Sequence, residues 1–509
     1  MPPRGTSWAK STRKFLSEYR RSRLGLAGVA IILYFVLVAA FAPYLTHHDP
    51  IYDQNLASPL SVPEWTRAFP QYANLPVNGL LLKGASLTSS SDLAYWNIAN
   101  TSTTVGRNSS STYDTSAAGL LVRFNTNNAT SILSLSQTLH YEWSAPCRFI
   151  ASMTLTPRDL NLSTTDLTFD IYITSGKNTY HILDPSVYAN PEDASEYYSN
   201  FTTGQSYNIY ADSKNVYVNL LATGSTVPTN LGGCGLPSSI FNGPRNITIS
   251  YIIKSIVPTS VLISNPNLYI VGSAYGILGT DDLGRDVWSQ FVYGSRVSLE
   301  VGLLAAVVAV VIGTVVGLVA GYVGRVWDEL LMRFTDFMLT LPFLPLVLII
   351  LTIIQVSRIT LAISTEFIIV ILIAVFSWQG IARIIRAQVL TVKHRQFVEA
   401  SKSLGAGNGY IIRKHILPNV MGLVYANMAL TVPGAILTES ALTFLGFGDP
   451  SIVSWGTIVS NATSSITSLH AFVWWWFLPP GLAIALLSMA FVLVGFSLDA
   501  ILNPRLRKR

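Results

Sequence analysis

An enzyme of the common kinds needs a nucleophile beside a base, a cluster of metal ligands or a glycine-rich phosphate cradle, and each leaves a recognisable spacing. This chain shows no G-x-S-x-G elbow, no H-E-x-x-H pair and no G-x-x-x-x-G-K-[ST] loop. His47, His48, His140 and His181 are scattered without ligand spacing, and two cysteines cannot complete a zinc site. The residues that stand out are mechanical instead. Glu399 to Asn419 reads EASKSLGAGNGYIIRKHILPN, a polar stretch between two long apolar runs. Phe397, Ala400 and Leu404 share one face at helical spacing, and Gly405 to Gly409 (GAGNG) breaks that helix. Tyr410, Ile411, His415 and Ile416 form a second amphipathic turn, and Pro418 opens the next apolar run. A short bent piece whose two arms continue into apolar runs is suited to act as a lever: a partner that grips it moves both arms.

The elements that carry this lever are membrane helices. Half of the 509 residues are hydrophobic, 12% are charged, and several apolar runs reach the roughly 18 residues that suggest a bilayer span. Spans are expected at Leu24–Leu45, Val297–Val323, Phe337–Val356, Phe367–Ile385, Pro418–Leu437 and Ala471–Leu498. Seven Lys/Arg precede the first run, which reads as a retained anchor rather than a cleaved signal peptide because its apolar core exceeds the usual 7–15 residues. Basic residues also crowd Arg383–His415 and the NPRLRKR end, so both termini (1–23 and 499–509) and the lever, 396–418, are expected in the cytoplasm of a multi-pass cell-membrane protein. The net charge of +6 is read as orientation by basic flanks, not as affinity for nucleic acid. Span interiors hold almost no acids; Glu300, Glu366 and Glu439 lie near run ends, which argues against an ion-driven carrier with a carboxylate relay at membrane depth. Gly313, Gly317 and Gly321 recur every fourth residue, either for close helix packing or as ordinary glycine enrichment. The run Trp474 to Trp476 is expected to anchor the last span in the headgroup zone.

Thr46 to Leu278 is long enough for its own core and is expected to be an external, β-rich, sandwich-like domain inserted into a six-helix membrane protein. Period-two alternation appears in DLTFDIYIT, NVYVNLL and NITISYII, and a short helix is expected around NPEDASEYYSN. Cys147 and Cys234 both lie in this domain, where oxidation is possible, and a disulfide is the favoured reading over two buried thiols. N-glycosylation sequons occur at Asn100, Asn108, Asn128, Asn161, Asn200, Asn246 and Asn461, all in segments that the charge pattern places outside. Residues 279–296 are expected to form an interfacial amphipathic helix capped by Thr280 or Asp281, with Val287, Phe291 and Val292 toward lipid.

Glu399-Ala400-Ser401-x3-Gly405 followed by Leu417-Pro418 resembles the EAA loop of ABC importer permeases. More narrowly, HILPN (His415 to Asn419), LGTDDLGRDVWSQFVYGSRVSL (Leu278 to Leu299) and ESALTFLGFGDPSIVSWG (Glu439 to Gly456) are similar to the C-type permease of the dipeptide/oligopeptide family. The resemblance implies the type I permease fold over 297–498, with Glu399, Ala400, Ser401, Leu404, Gly405, His415, Leu417 and Pro418 coupling the chain to ATPases. It implies further that Asp282, Gly284, Arg285, Asp286 and Arg296 belong to an external gate motif, Arg285 and Asp286 pairing across the gate or merely pinning a helix. The implied partners are a paralogous second permease, two ATP-binding subunits that carry ATP and Mg, an external solute-binding protein and the bilayer; this chain itself is expected to bind no cofactor and no metal. The cargo implied is di- or oligopeptides, with oligosaccharides also served in such families. Family members generally have a far shorter segment before the Gly-Arg-Asp motif, so the resemblance is silent on the external domain: it docks a solute-binding protein or serves as a glycosylated shield, which would suit an archaeal envelope. The competing class is a multi-span envelope protein whose external domain is a sensor, adhesion module or enzyme.

Overall fold

A computed structural model describes residues 18–502 apart from 103–109, 117–118, 127–129, 160, 164–165, 184–199, 216–217, 219–221, 223–234, 242, 357–363, 450 and 470–471. The chain divides into two compact units, Gln54–Arg285 and the stretches on either side of it, Met1–Asp53 and Asp286–Arg509. The β-rich unit therefore begins later and ends later than residues 46 and 278.

The helical unit is built from α1 (Arg23–Ala40), α2 (Val287–Val323), α3 (Arg325–Thr340), α4 (Phe343–Val356), α5 (Thr365–Ser377), α6 (Gln379–Lys393), α7 (Gln396–Ser403), α8 (Leu417–Leu442), α9 (Trp455–Leu469) and α10 (Trp474–Leu502). Ser22 starts α1 by accepting the Gly25 N–H on its hydroxyl. Among the described residues four helices are long and apolar enough to cross a membrane, or up to six if each bent pair is one span. The first bent pair, α3 and α4, meets at 80°. Its cause is local: Pro342 excludes the helical region for Leu341, which sits at φ −71°, ψ 130°, so the expected continuous helix through Phe337–Val356 is interrupted. The second pair, α5 and α6, bends by 43° at Trp378.

The separate interfacial helix expected over 279–296 is not formed. Gly279 and Gly284 take φ of +67° and +71°, and the helix starts only at Val287, then runs unbroken to Val323. Thr280 and Asp281 are fully buried in the preceding loop and do not cap it; Asp286 does, accepting the Trp288 and Ser289 N–H groups. Val287 and Val292 are fully buried and Phe291 stacks on Trp455, so these three pack in protein, not toward lipid. Trp475 and Trp476 are likewise buried, leaving Trp474 alone of the expected aromatic anchors partly exposed.

In the other unit, β11 (Tyr207–Asp212), β6 (Arg148–Pro157), β13 (Thr259–Val271), β4 (Gly119–Asn125) and β3 (Ser110–Ser116) form one sheet in that order, with β1 (Gly79–Leu80) also on β13; β2 (Asn97–Ser102), β5 (Ser131–Tyr141), β12 (Arg245–Ser255), β8 (Leu167–Ser175) and β9 (Asn178–Leu183) form a second, and β7 (Leu162–Ser163) pairs with β10 (Asn200–Phe201). The long central strands are β5 (Ser131–Tyr141), β6 (Arg148–Pro157), β8 (Leu167–Ser175), β12 (Arg245–Ser255) and β13 (Thr259–Val271), all paired antiparallel. Period-two burial is strict on β12: Ile247, Ile249, Tyr251 and Ile253 are fully buried while Asn246, Thr248, Ser250, Ile252 and Lys254 alternate with them. The buried rows of both sheets join one core with Phe149, Val261 and Ile263, and the Tyr251 hydroxyl is satisfied by the Asn267 carbonyl at 2.5 Å. β8 and β12 cover the expected DLTFDIYIT and NITISYII strands; most of NVYVNLL and of the expected NPEDASEYYSN helix lies outside the described residues.

Candidate functional site

The polar stretch after α6 folds as a bent elbow. Arg395 is extended, α7 forms two turns, and Gly405 then adopts φ +83°. The Ala406 N–H bonds the Ser401 carbonyl at 3.1 Å and the Gly405 N–H bonds the Lys402 carbonyl at 3.0 Å. These two bonds form a Schellman stop, which needs a left-handed residue where Gly405 stands. The second arm runs through a helical turn, Asn408–Ile411, and a π-type turn, Ile412–Ile416, straight into α8, with Pro418 in its first turn.

The elbow's outside differs from its sequence pattern. Leu404 is 88% exposed, and Phe397 and Tyr410 are also exposed; Val398, Ile411 and Ile416 are the buried residues. Those three belong to the same core as Ala309, Val310 and Leu318 of α2 and Ile381, Ile385 and Val389 of α6. The elbow thus has an apolar root inside the helical unit and an apolar tip outside it. Glu399 is exposed in the first turn of α7, a favourable place for a negative charge, and has no side-chain partner among the described residues. Ala400 and Leu417 lie on the two arms, and Ser401 and His415 join the arms, Oγ to Nε2, at 3.3 Å. His415 also lies against the Phe397 and Tyr410 rings, and Lys414 Nζ stands 5.2 Å above the Tyr410 ring.

Four ties to this elbow and its supports have no motif in the sequence. The Tyr322 hydroxyl, near the end of α2, donates to Asn408 Oδ1 at 3.1 Å. Lys393 Nζ donates to the Gly321 carbonyl at 2.9 Å. Arg386 holds Asp328 by two bonds, and Arg383 pairs with Asp336. Only helix registers established in three dimensions bring these residues together.

Gly313, Gly317 and Gly321 meet successive turns of α6. A Cβ on them would lie 2.7 Å from the Trp378 carbonyl oxygen, 2.6 Å from that of Ala382 and 2.8 Å from Val389 Cβ. In the segment before α2, Arg285 does not pair with Asp286: its Nε bonds Asp281 Oδ2 at 2.5 Å, while Asp286 is engaged as the helix cap and by the Ser289 hydroxyl. The reason is local geometry, because the Gly284 turn folds Arg285 back on Asp281; a Cβ at Gly284 would strike the Ala57 carbonyl at 2.5 Å. Asp282 is exposed. Arg296 lies two turns into α2, bonding the Ala39 carbonyl. Glu439, noted in the sequence only as near a run end, is 1% exposed and accepts a bond from Ser440 Oγ.

In the β-rich unit Cys147 is disulfide-bonded, and Cys234, the chain's other cysteine, lies outside the described residues. Asn161, Asn246 and Asn461 are exposed, Asn100 and Asn200 lie on strands, and Asn108 and Asn128 lie outside the described residues. Asp166 accepts bonds from the Ser163 hydroxyl and N–H, which hold its carboxyl below the usual carboxylate range.

Residues 313–508, which include the elbow, match the family described as "Binding-protein-dependent transport system inner membrane component". Residues 11–62 match "N-terminal TM domain of oligopeptide transport permease C". The chain is 40% identical over 231 residues to the dipeptide transport system permease protein of Bacillus subtilis (strain 168), covering 45% of this chain and 69% of the relative. The chain belongs to the dipeptide/oligopeptide transport permease family, C type. An oligopeptide transport system permease protein of the same organism is 38% identical, covering 45% of this permease and 72% of its own length. A dipeptide transport system permease protein of Alkalihalophilus pseudofirmus is 34% identical, covering 51% and 83%. Most of the β-rich unit falls between the two matched stretches of this permease. A solved structure of TmCBM61 in complex with β-1,4-galactotriose covers 38% of this chain and 99% of its own at 10% identity and a TM-score of 0.21, a likeness too slight to bear on function.

Proposed function

We propose that this permease is one half of the translocation pathway of an ATP-driven importer, with six spans, both termini in the cytoplasm and a sandwich-like unit outside. The observation that carries the reading is the elbow: its Glu399, Leu404 and Tyr410 stand exposed while Val398, Ile411 and Ile416 root it in the core of α2 and α6. An ATPase subunit that covers the tip buries apolar surface and gives Glu399 a partner. Closing of two such ATPases then moves the root, and α2, α6 and α8 move with it, because packed cores switch between discrete arrangements rather than deform continuously. This chain's residues transmit force; ATP and Mg act on the ATPases, a second permease completes the pathway, and a solute-binding protein delivers the cargo.

The names of the relatives support di- or oligopeptides as cargo. Oligosaccharides remain the second cargo, to be separated by identifying the molecule carried by the co-purifying binding protein. For the β-rich unit, retention of that binding protein is the reading favoured over a glycosylated shield. The experiment is co-purification after detergent extraction, followed by uptake in Glu399→Lys and Leu404→Asp variants. ATPase subunits are expected to accompany the wild type, and both variants to be expressed yet lose ATP-coupled uptake. Wild-type uptake by both variants overturns the elbow as the coupling element.

A further inference from the structure

Two helices of the helical unit break within the depth that α2 spans without a charge. Between Glu300 and Arg325 lie 24 uncharged residues, about 36 Å at 1.5 Å per residue, against about 30 Å for a hydrocarbon layer. Gly313, thirteen residues from Glu300 and twelve from Arg325, packs against the carbonyl of Trp378, where α5 bends into α6. The Phe334 ring of α3 stacks on the Trp378 ring at 6.1 Å, which sets α3 at the same level. Asp336, two residues past Phe334, therefore stands close to the middle of the uncharged stretch, and the α3–α4 bend at Leu341–Pro342 follows one to two turns further on. In the sequence Asp336 falls just before the apolar run that starts at Phe337; the fold carries it to membrane depth.

Arg383 of α6 pairs there with Asp336, and the two side chains are 51% and 59% exposed. A charge pair that is half-open at this depth does not face hydrocarbon; it faces water or another polypeptide. Among the described residues these two side chains hydrogen-bond only each other, through one guanidinium nitrogen and one carboxylate oxygen, so most of the donors and the second oxygen stay open. Toward the cytoplasmic end the polar track continues: Arg333 pairs with Glu329 on the exposed side of α3, and Arg386 with Asp328 where α3 begins. Broken helices beside an ionisable pair at mid-depth are the arrangement in which transporters hold a solute, because irregular backbone and charge are both tolerated where they line a cavity.

We propose that the Arg383–Asp336 pair is a transit site for the free termini of short peptides, a role that rests on the helical unit being half of an importer pathway. In the empty site the two side chains bind each other. In transit the peptide carboxylate takes the guanidinium, whose fork fits it, and the peptide ammonium takes the Asp336 carboxylate, so one ion pair is exchanged for two and no charge is left unpaired at depth. An extended dipeptide measures about 7 Å between its charged ends, a gap that rotation of the long Arg383 side chain opens; longer peptides engage one end at a time. A neutral oligosaccharide offers no charge to replace either partner, and the pair stays closed.

The test is ATP-dependent uptake by proteoliposomes that hold this permease with its co-purified partners, supplied with dialanine, N-acetyl-dialanine or dialanine amide. Each variant is compared with wild type on the same substrate, so any preference of the binding protein cancels. Asp336→Asn is expected to lower dialanine uptake at least tenfold but N-acetyl-dialanine uptake less than twofold, because that substrate has no ammonium to lose. Arg383→Gln is expected to separate dialanine from dialanine amide in the same way. Equal losses on all three substrates, the outcome for a pair that only joins this permease to another polypeptide, overturn the proposal, as does unchanged uptake. Thr340→Cys gives a second measurement: residue 340 is exposed one turn from Asp336, and both charges stay intact. Its thiol is expected to react with a water-soluble methanethiosulfonate in the assembled complex, and several-fold more slowly while dialanine is being transported. An unreactive or unprotected thiol overturns the proposal even if both charge variants fail to fold. Wild-type liposomes that take up none of the three substrates refute the importer reading itself, whereas wild-type uptake with equal losses in the variants refutes this site alone.

Discussion

Replacing Gly317 by alanine tests the packing that links the elbow's root to the rest of the helical unit. The added Cβ would lie 2.6 Å from the Ala382 carbonyl oxygen and 2.8 Å from Ile385 Cβ. Ordinary carbon contacts need about 3.5–4.0 Å, so α2 and α6 must part by on the order of 1 Å or distort. Overpacking of this kind costs about 1–3 kcal/mol. Alanine also returns about 1 kcal/mol of helix propensity, which blurs the single measurement. Gly434→Ala in α8 removes the ambiguity, because nothing lies within 4 Å of its Cβ position and the same propensity gain applies. The difference between the two variants therefore isolates the clash, and it should be about 1–3 kcal/mol. For a unit of this size that corresponds to at least about 2 °C between midpoints when purified full-length protein is melted in detergent and followed by tryptophan fluorescence. Gly317→Ala melting at or above Gly434→Ala would refute the close approach of α2 and α6.

At the elbow, Gly405→Ala should cost about 1 kcal/mol locally, since φ is +83°, and lower uptake per ATP hydrolysed, whereas Gly407→Ala, at φ −68° in open space, should be silent in the same assay. Trp455→Phe removes the Nε1–H bond to the Phe291 carbonyl at 3.0 Å and should destabilise the helical unit by about 1–2 kcal/mol in denaturant melts; no change would mean that another group satisfies that carbonyl. In the β-rich unit the folded-state pKa of Asp166 lies below its ordinary 3.8, so its contribution is fully present above about pH 4 and is lost as pH falls through the folded value. The stability advantage of wild type over Asp166→Asn should accordingly shrink between pH 6 and pH 3 in fluorescence melts, and a constant difference would show that Ser163 does not favour the ionised carboxylate.

Features that depend on local order are legible from residue types and spacing alone. Hydropathy runs located most of the apolar helices, period-two alternation located β8 and β12, and Gly405 followed by Pro418 located the bend and the start of α8. Each of these follows from a backbone preference or from one face seeking burial, information carried by neighbours in the chain. Tertiary structure alone decided which apolar residues of the elbow are root and which are tip: Phe397 and Leu404 share the helical spacing of buried residues but stand exposed, while Val398 is buried. It also decided that Arg285 turns back to Asp281 instead of meeting Asp286, that Asp286 rather than Thr280 starts α2, and that Tyr322 reaches Asn408. Pairings between helices depend on rotation and register, and one turn of either helix would replace every partner while leaving the composition of each helix unchanged.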